Sequence, residues 1–329
     1  MHDEEHPIEM KTSLKLLGVV ATLAIAASVL AVPVAAQDAQ YTGCLAAPAS
    51  TTPYSARINQ KIAEYGAEKG IAFTVFSAEQ STETQVNQLR DCIALQPDII
   101  VLIANDVEAL CPVLQEAKDA GIPVLTSNAG VNCTDLVEGF TGPNYTLQAE
   151  ILAEYTCDNF TTDGDVLNVG IVQGDLGYSA EIERTGGFES KIAEVCPDKV
   201  AVIDKQSGKW SQQQSLEVAR DMVTKHGEDL DMIYAEDDTM GAGVADGLEQ
   251  SGLQPGEVIL VGIGGNVDGF RLMDEGWMQA TIYQSPFIDG TLAVDTALRI
   301  LAGEDIEDRI AIDSPVITPD NMSEYEPAY

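Results

Sequence analysis

Apolar and polar positions between residues 41 and 126 alternate with two different periods. Short apolar runs predict strands, and apolar residues three and four apart, such as Ile58, Ile62 and Tyr65, predict a helix between two of them. One run is almost wholly apolar, as expected for a strand covered on both faces. The strands predicted here are Tyr41–Leu45, Ile71–Phe76, Asp98–Ile103 and Ile122–Thr126.

The same order begins again near Leu147 and continues to Leu301. Helical stripes cover 180–194, 213–225 and 239–252, and a last one, Ile288–Leu301, stops before Gly303. The strands predicted between them are Val166–Val172, Val200–Ile203, Met232–Ala235, Val258–Ile263 and Met278–Tyr283.

This alternation predicts an α/β chain with parallel sheets and helices on both faces of each sheet. Because the pattern occurs twice, we expect two doubly wound units. Ligands of such units bind at the carboxyl ends of the strands. The crevice between the two units is therefore the expected binding site.

The apolar run Leu16–Val32 has the form of an export signal. Two lysines precede it, and small residues lead to a cut after Ala36. We expect 1–36 to be an N-terminal extension with a cleaved signal peptide whose natural start is Met10; an uncleaved anchor helix is the alternative. Because Gln37 is not a cysteine, no lipid anchor is expected, and the mature chain should be free, with no stable membrane insertion.

The charge of the chain excludes several partners and chemistries. The formal net charge is −36, so attraction to nucleic acid or to an anionic membrane through the overall field is excluded. His226 is the one histidine after the predicted signal peptide. One histidine supplies neither a Ser-His-Asp triad nor a metal site with several histidines. We expect no catalytic residue, no metal and no cofactor.

All 6 cysteines follow the predicted signal peptide, and an even number in an exported protein favours disulfide bonds. The spacing lacks the Cys-x-x-Cys pairs of a zinc site. The first expected bond joins Cys157 and Cys196, which fall in the same predicted unit. The second joins Cys92 and Cys111, on consecutive predicted helices. The spacing does not determine the connectivity, and buried free thiols are the alternative.

Several short motifs follow one another in an order and spacing that are more specific than any one of them. These are Thr51-Thr52-Pro53-Tyr54, Ala120-Gly121-Ile122-Pro123-Val124, Glu183-Arg184-Thr185-Gly186-Gly187-Phe188, Tyr234-Ala235-Glu236-Asp237-Asp238-Thr239-Met240-Gly241, Val261-Gly262-Ile263-Gly264-Gly265 and Thr281-Ile282-Tyr283-Gln284-Ser285-Pro286. With them the chain resembles the ribose-type (type I) periplasmic sugar-binding proteins that serve ABC importers. The likeness covers the whole chain after Ala36.

The resemblance implies the type I periplasmic binding protein fold, with three crossovers near Gly142, Ser285 and Ile312 that form a hinge. It implies a monomer in the periplasm that captures a small polar ligand, a sugar or polyol, and delivers it to an ABC permease unchanged. A receptor of the same fold for chemotaxis or a sensor kinase, and a secreted hydrolase that uses Asp237 and Asp238, are the alternatives. The expected lobes are 37–142 plus 286–312, and 143–285 plus 313–329.

A sugar site needs aromatic faces and planar polar side chains, and the resemblance implies both. Tyr54 and Trp210 match stacking aromatics, and Arg184 matches an arginine whose fork of donors serves two hydroxyls or a carboxylate. The remaining candidates are Asp237, Asn128, Gln284, Thr52 and Tyr178. The alternatives are core packing for the rings, a surface ion pair with Glu181 or Glu183 for Arg184, and turn, hinge or cap hydrogen bonds for the others. Asp238 could cap the helix in place of Asp237.

Three positions depart from the family's pattern. Ile103 stands where the family often has Asn, Ala129 follows Asn128 where it often has Asp-Arg, and Gly264 stands where it often has Asp. Polar sugar contacts are therefore missing, and the resemblance does not imply a ribose site. We expect a different sugar, a polyol or a ligand with fewer hydroxyl groups.

Overall fold

The computed structural model describes residues 39–161 and 164–329, and the predicted signal peptide lies outside them. Within these residues, no helix has the length and apolar character needed to cross a membrane. The helices are α1 (Pro53–Lys69), α2 (Thr82–Leu95), α3 (Cys111–Asp119), α4 (Tyr145–Phe160), α5 (Ser179–Val195), α6 (Gln212–His226), α7 (Asp238–Gln250), α8 (Val267–Asp274) and α9 (Pro286–Leu301). The strands are β1 (Tyr41–Ala47), β2 (Ile71–Ser77), β3 (Ile99–Leu102), β4 (Val124–Ser127), β5 (Gly139–Gly142), β6 (Leu167–Gln173), β7 (Val200–Ser207), β8 (Met232–Ala235), β9 (Ile259–Gly264), β10 (Met278–Tyr283), β11 (Arg309–Ala311) and β12 (Val316–Ile317).

The strands of the described residues form two 6-stranded sheets. The first has the order β11-β5-β4-β3-β1-β2, and the second has the order β12-β10-β9-β8-β6-β7. Neighbouring strands are parallel except for β12, which pairs antiparallel with β10. The predicted pair of α/β lobes with parallel sheets is thus confirmed. We call the lobe that contains the first sheet the first lobe, and the other the second lobe.

The described chain passes between the two sheets at three places, after β5, after β10 and between β11 and β12. After β10, Ser285 caps α9 and Pro286 begins it, so the chain turns at once into a helix that packs against α1 of the first lobe. The other two passages lie side by side, since Ile312 N–H donates to the Gly142 carbonyl at 3.0 Å. The lobe limits within these passages stay a prediction.

The connection from β1 to α1 shows how the sequence places side chains at this edge of the first sheet. Pro53 occupies the first turn of α1, where its missing N–H costs nothing. Ile58 and Ile62 are buried in the core of the first lobe, and Gly70, with a φ of 90°, ends the helix. Tyr54 therefore lies in the first turn of α1, the helix that follows the carboxyl end of β1.

Four elements were absent from the sequence prediction: β5, α8, β11 and β12. The strand β5 contains two glycines in four residues, and β11 and β12 contain three and two residues. Such short segments show no period. Strand β7 also continues to Ser207, because the polar residues after Ile203 lie in a strand at the edge of the second sheet.

All cysteines in the described part of the chain form disulfide bonds. The expected bond between Cys157 and Cys196 is confirmed and joins α4 to the end of α5. The expected bond between Cys92 and Cys111 is wrong. Cys92 lies on the buried face of α2 against β1, where it bonds to Cys44. Cys111, at the start of α3, bonds instead to a cysteine in the following loop, Cys133.

Replacing both Cys157 and Cys196 by alanine should lower the free energy of unfolding by about 4 kcal/mol, because the unfolded chain regains the entropy of a loop that spans 39 residues. Urea denaturation of the oxidised double variant and of the wild type measures this difference. An unchanged free energy of unfolding would show that this bond does not stabilise the second lobe.

Candidate functional site

A pocket lies between the lobes at the carboxyl ends of strands from both sheets. Its empty volume is about 670 Å³, including space that opens to solvent, within the range typical of small-molecule sites. The structure brings every candidate from the sequence to this pocket: Thr52, Tyr54, Asn128, Tyr178, Arg184, Trp210, Asp237 and Gln284. Further lining residues that the sequence did not indicate include Pro48, Tyr145, Thr239 and Tyr329.

Aromatic rings form much of the pocket wall. Tyr54 and Tyr329 meet edge to face, with ring centroids 5.5 Å apart and an interplanar angle of 87°. Tyr178 meets Trp210 in a similar way at 5.8 Å. Tyr178 directly precedes α5 of the second lobe, but its side chain packs against the core of the first lobe. These rings offer apolar faces from both sides of the crevice.

The Trp210 ring is held in place by an unusual backbone. Lys209 and Trp210 have φ values of 55° and 53°, in the left-handed region that bulky residues seldom adopt. The indole lies against Gly174, after β6, where a Cβ would collide with the ring. Ser211 then caps α6 by accepting a hydrogen bond from Gln214 N–H at 3.3 Å. The turn between β7 and α6 therefore presents the indole to the pocket.

Arg184, on α5, is only 4% exposed. Its Nη1 donates to the Glu236 carbonyl, and its Nη2 donates to Gln284 Oε1 at 2.7 Å. Its guanidinium carbon lies 4.7 Å from the centre of the Tyr145 ring. Nε is buried and has no hydrogen-bond partner in the described part of the chain. The surface ion pair considered for Arg184 is wrong, because Glu183 pairs with Arg309 instead.

The adjacent acids Asp237 and Asp238 have different roles. Asp237 Oδ1 caps α7 by accepting from Thr239 N–H at 2.8 Å, while the residue also lines the pocket. Asp238 is fully buried and accepts from Gly265 N–H at 2.6 Å and from Thr281 Oγ1 at 2.7 Å. Burial raises the pKa of Asp238 to about 7. The idea that Asp238 supplies the cap is therefore wrong, and the two carboxylates do not form an acid–base pair at one site.

Asn128 and Tyr54 are oriented by a carboxylate that the sequence did not indicate. Asn128 Nδ2 and the Tyr54 hydroxyl each donate to Asp289 Oδ2 at 3.0 Å. Asp289 is fully buried in the first turn of α9, and burial raises its pKa to about 7. An acid at this place in the sequence resembles an ordinary N-terminal helix charge, so only the fold reveals its role.

The three departures from the family's pattern place no polar side chain at these positions. Ile103 and Ala129 are buried in the core of the first lobe. Gly264 has a φ of 152°, and a Cβ there would lie 2.9 Å from Asp238 Oδ2. No polar side chain therefore faces the pocket from these three positions.

Contacts between the lobes show that they are closed over the pocket. Arg309 Nη2, in the first lobe, donates to Glu183 Oε1, in the second, at 3.2 Å. Nearby, Gly130 N–H donates to Ser179 Oγ at 3.3 Å. Both contacts join the lobes outside the pocket itself.

Comparison with known families agrees with this architecture. Residues 44–305 match the model of the periplasmic binding protein domain. The chain belongs to this family. Members of the family are periplasmic binding proteins, so this binding protein holds a solute rather than converting it.

Relatives of this binding protein are named for sugars and polyols. The xylitol-binding protein of Mycolicibacterium smegmatis is 28% identical over 78% of this chain and 72% of its own. The ribose import binding protein of Escherichia coli (strain K12) is 24% identical over 90% and 97%. The crystal structure of a galactofuranose binding protein superposes with a TM-score of 0.79 at 25% identity, over 86% of this chain and 96% of the other.

Behind the pocket of this binding protein lies a buried acid, Glu236. Its Oε2 accepts from Gly174 N–H at 2.8 Å, and its Oε1 accepts from Thr185 Oγ1 at 2.6 Å. Burial raises the pKa of Glu236 to about 8 from an ordinary value of 4.5. The folded protein therefore favours the protonated acid, and this contribution to stability is lost as the pH rises through about 8.

The variant Glu236→Gln should reduce the fall in stability between about pH 5 and pH 8.5, because its side chain stays neutral. One unit of pKa shift corresponds to about 1.4 kcal/mol, so the free energy of unfolding of the variant relative to wild type should rise by at least that amount across this range. Urea denaturation at both pH values measures it. Parallel pH profiles for the two proteins would contradict the proposed protonation of Glu236.

Proposed function

We propose that this protein captures a small, uncharged polar ligand, a sugar or polyol, between its lobes and delivers it to an ABC permease. The observation that carries the proposal is a pocket between the lobes that is walled by aromatic rings and lined by Arg184, whose buried Nε is a donor without a partner in the described residues. A buried donor left unpaired costs about 1–3 kcal/mol. A ligand hydroxyl that accepts from Nε removes this cost.

The pocket offers both kinds of surface that a sugar presents. The ring of Trp210 suits an apolar sugar face. The carboxylate of Asp237, with one oxygen used as a helix cap, can accept from a hydroxyl, and Arg184 Nε can donate to one. We propose that the other candidates that line the pocket also contact the ligand; these are Thr52, Tyr54, Asn128, Tyr178 and Gln284.

The charges of the pocket support an uncharged ligand. Arg184 and Asp237 are opposite charges at one pocket, and their electrostatic interaction lowers the pKa of the Asp237 carboxyl against the larger, raising effect of burial. Neither charge is left in large excess for an ionic ligand. The relatives named for xylitol, ribose and galactofuranose point the same way, because all three compounds are uncharged and rich in hydroxyl groups.

We also propose that the passages near Gly142, Ser285 and Ile312 act as the hinge between the lobes 37–142 plus 286–312 and 143–285 plus 313–329. A ligand that contacts both lobes selects the closed arrangement. The permease then distinguishes the closed protein from the open one. Gln284 connects ligand binding to closure of the lobes, since it bonds to Arg184 in the pocket and lies beside the hinge residue Ser285.

The proposal places the mature protein in the periplasm as a monomer, after cleavage behind Ala36. The pattern of residues 10–36, basic, then apolar, then small, supports this location. N-terminal sequencing of the exported protein tests it, with Gln37 as the expected first residue.

Arg184→Ala and Trp210→Ala should each weaken ligand binding by about 1–3 kcal/mol, or about 5- to 150-fold in Kd, because one removes the free donor and the other a stacking face. A thermal-shift screen of sugars and polyols first identifies the ligand, and titration calorimetry measures Kd. The control is Arg220→Ala, an exposed arginine of α6 whose partner, Glu217, lies 3.7 Å away. Unchanged Kd values in both pocket variants would contradict the assignment of the site.

Arg309→Gln should favour the open protein, because it removes the ion pair with Glu183 that joins the lobes. Since both side chains are partly exposed, Kd should rise only about 2- to 5-fold, and the radius of gyration of the ligand-free protein, measured by X-ray scattering, should increase. Arg271→Gln, which removes ion pairs with Asp268 on α8 and with Glu275 directly after this helix, is the matched control. If Arg309→Gln and Arg271→Gln have the same radius of gyration and the same Kd, the ion pair between Arg309 and Glu183 does not favour closure.

A further inference from the structure

The segment 325–329 belongs to the second lobe and leads back to the pocket. Ala328 is buried, and its N–H donates to the Gly265 carbonyl at 2.7 Å. Val267 N–H donates to the Tyr329 carbonyl at 3.1 Å. The ring of Tyr325 packs on Tyr283, with centroids 5.9 Å apart. The segment is therefore attached to the second lobe along its length.

The side chain of Tyr329 reaches across the crevice from this attachment. Its hydroxyl accepts a hydrogen bond from Asn266 Nδ2 at 3.1 Å, which ties the phenol to the second lobe. Its ring meets the edge of Tyr54, which belongs to the first lobe. Tyr329 also lines the pocket beside Gly264. One side chain thus touches both lobes and the ligand space.

Several residues at the corner of the pocket near Tyr329 offer a ligand no free polar side-chain group. Gly264 has no side chain, and a Cβ at this position would lie only 2.9 Å from Oδ2 of the buried Asp238. Ile263 is apolar, and the Tyr54 hydroxyl is already bonded to Asp289. The Tyr329 ring adds apolar surface to the pocket wall that also contains Ile263 and Gly264, whereas Arg184 and Asp237 supply polar groups to the same pocket.

We propose that Tyr329 is a specificity-determining residue of the ligand site, whose ring packs against an apolar part of the sugar or polyol and limits the size of the ligand at this corner. This inference rests on the proposed function. It predicts that the ring, and not the hydroxyl, sets the preference, because the hydroxyl is used to hold the ring on Asn266.

The test compares Kd values for a fixed panel of D-ribose, D-arabinose, L-arabinose, D-fucose, xylitol and myo-inositol, measured by titration calorimetry at constant pH. Tyr329→Ala should weaken the tightest member of the panel by about tenfold or more and change the order of affinities, with bulkier members gaining relative to smaller ones. Tyr329→Phe keeps the ring and should retain both the order and, within about threefold, the affinities. Tyr325→Ala is the control for a loosened segment, since its ring packs on Tyr283.

The outcomes separate the two proposals. If the wild type binds members of the panel and Tyr329→Ala binds them with the same affinities and order, the role of Tyr329 is refuted and the proposed function stands. An equal change in the order of affinities in Tyr325→Ala also refutes this role, because loosening of the segment 325–329 alone would then explain the change. If the wild type binds no member, the proposed function fails for this class of ligand, and the inference fails with it.

Discussion

Arg184 places a positive charge in the interior of the second lobe, where a guanidinium is stable only if its N–H groups are hydrogen-bonded. The acceptors are the carbonyl at the end of β8 and the side chain of Gln284 at the end of β10. Helix α5 must therefore lie across the carboxyl ends of these strands. Because Gln284 precedes the hinge, the same bonds connect the ligand site to the passage between the lobes. We propose that Nε, which has no partner among the described residues, donates to the ligand.

Buried carboxyl groups hold the pocket walls from behind. Glu236 bonds to the backbone of Gly174, on which the Trp210 ring lies. Asp289 orients Tyr54 and Asn128 from the first lobe. Each acid is costly to bury as an anion, which is why burial raises the pKa of both. In return, the rings and donors that face the ligand are fixed before it arrives.

The sequence predicts the parts of this site that depend on local pattern. The spacing of apolar residues and the turn residues between them indicate the alternating helices and strands. The carboxyl ends of the parallel strands place Asn128 on the first lobe's side of the crevice and Asp237 and Gln284 on the second lobe's side. Tyr329 and Asp289 could not be found in this way, since they reach the site through contacts with residues far away in the chain. The wrong pairing of Cys92 with Cys111 has a similar cause. Neighbouring helices are close in sequence, but the face that each buries decides which cysteine it meets.

The most direct test of the account is a crystal structure of the protein with its tightest-binding sugar or polyol. The account predicts a ligand oxygen about 3 Å from Arg184 Nε, with the ligand between the lobes and an apolar face against Trp210. A ligand bound elsewhere, or one in this pocket that leaves Nε without a partner, would contradict it.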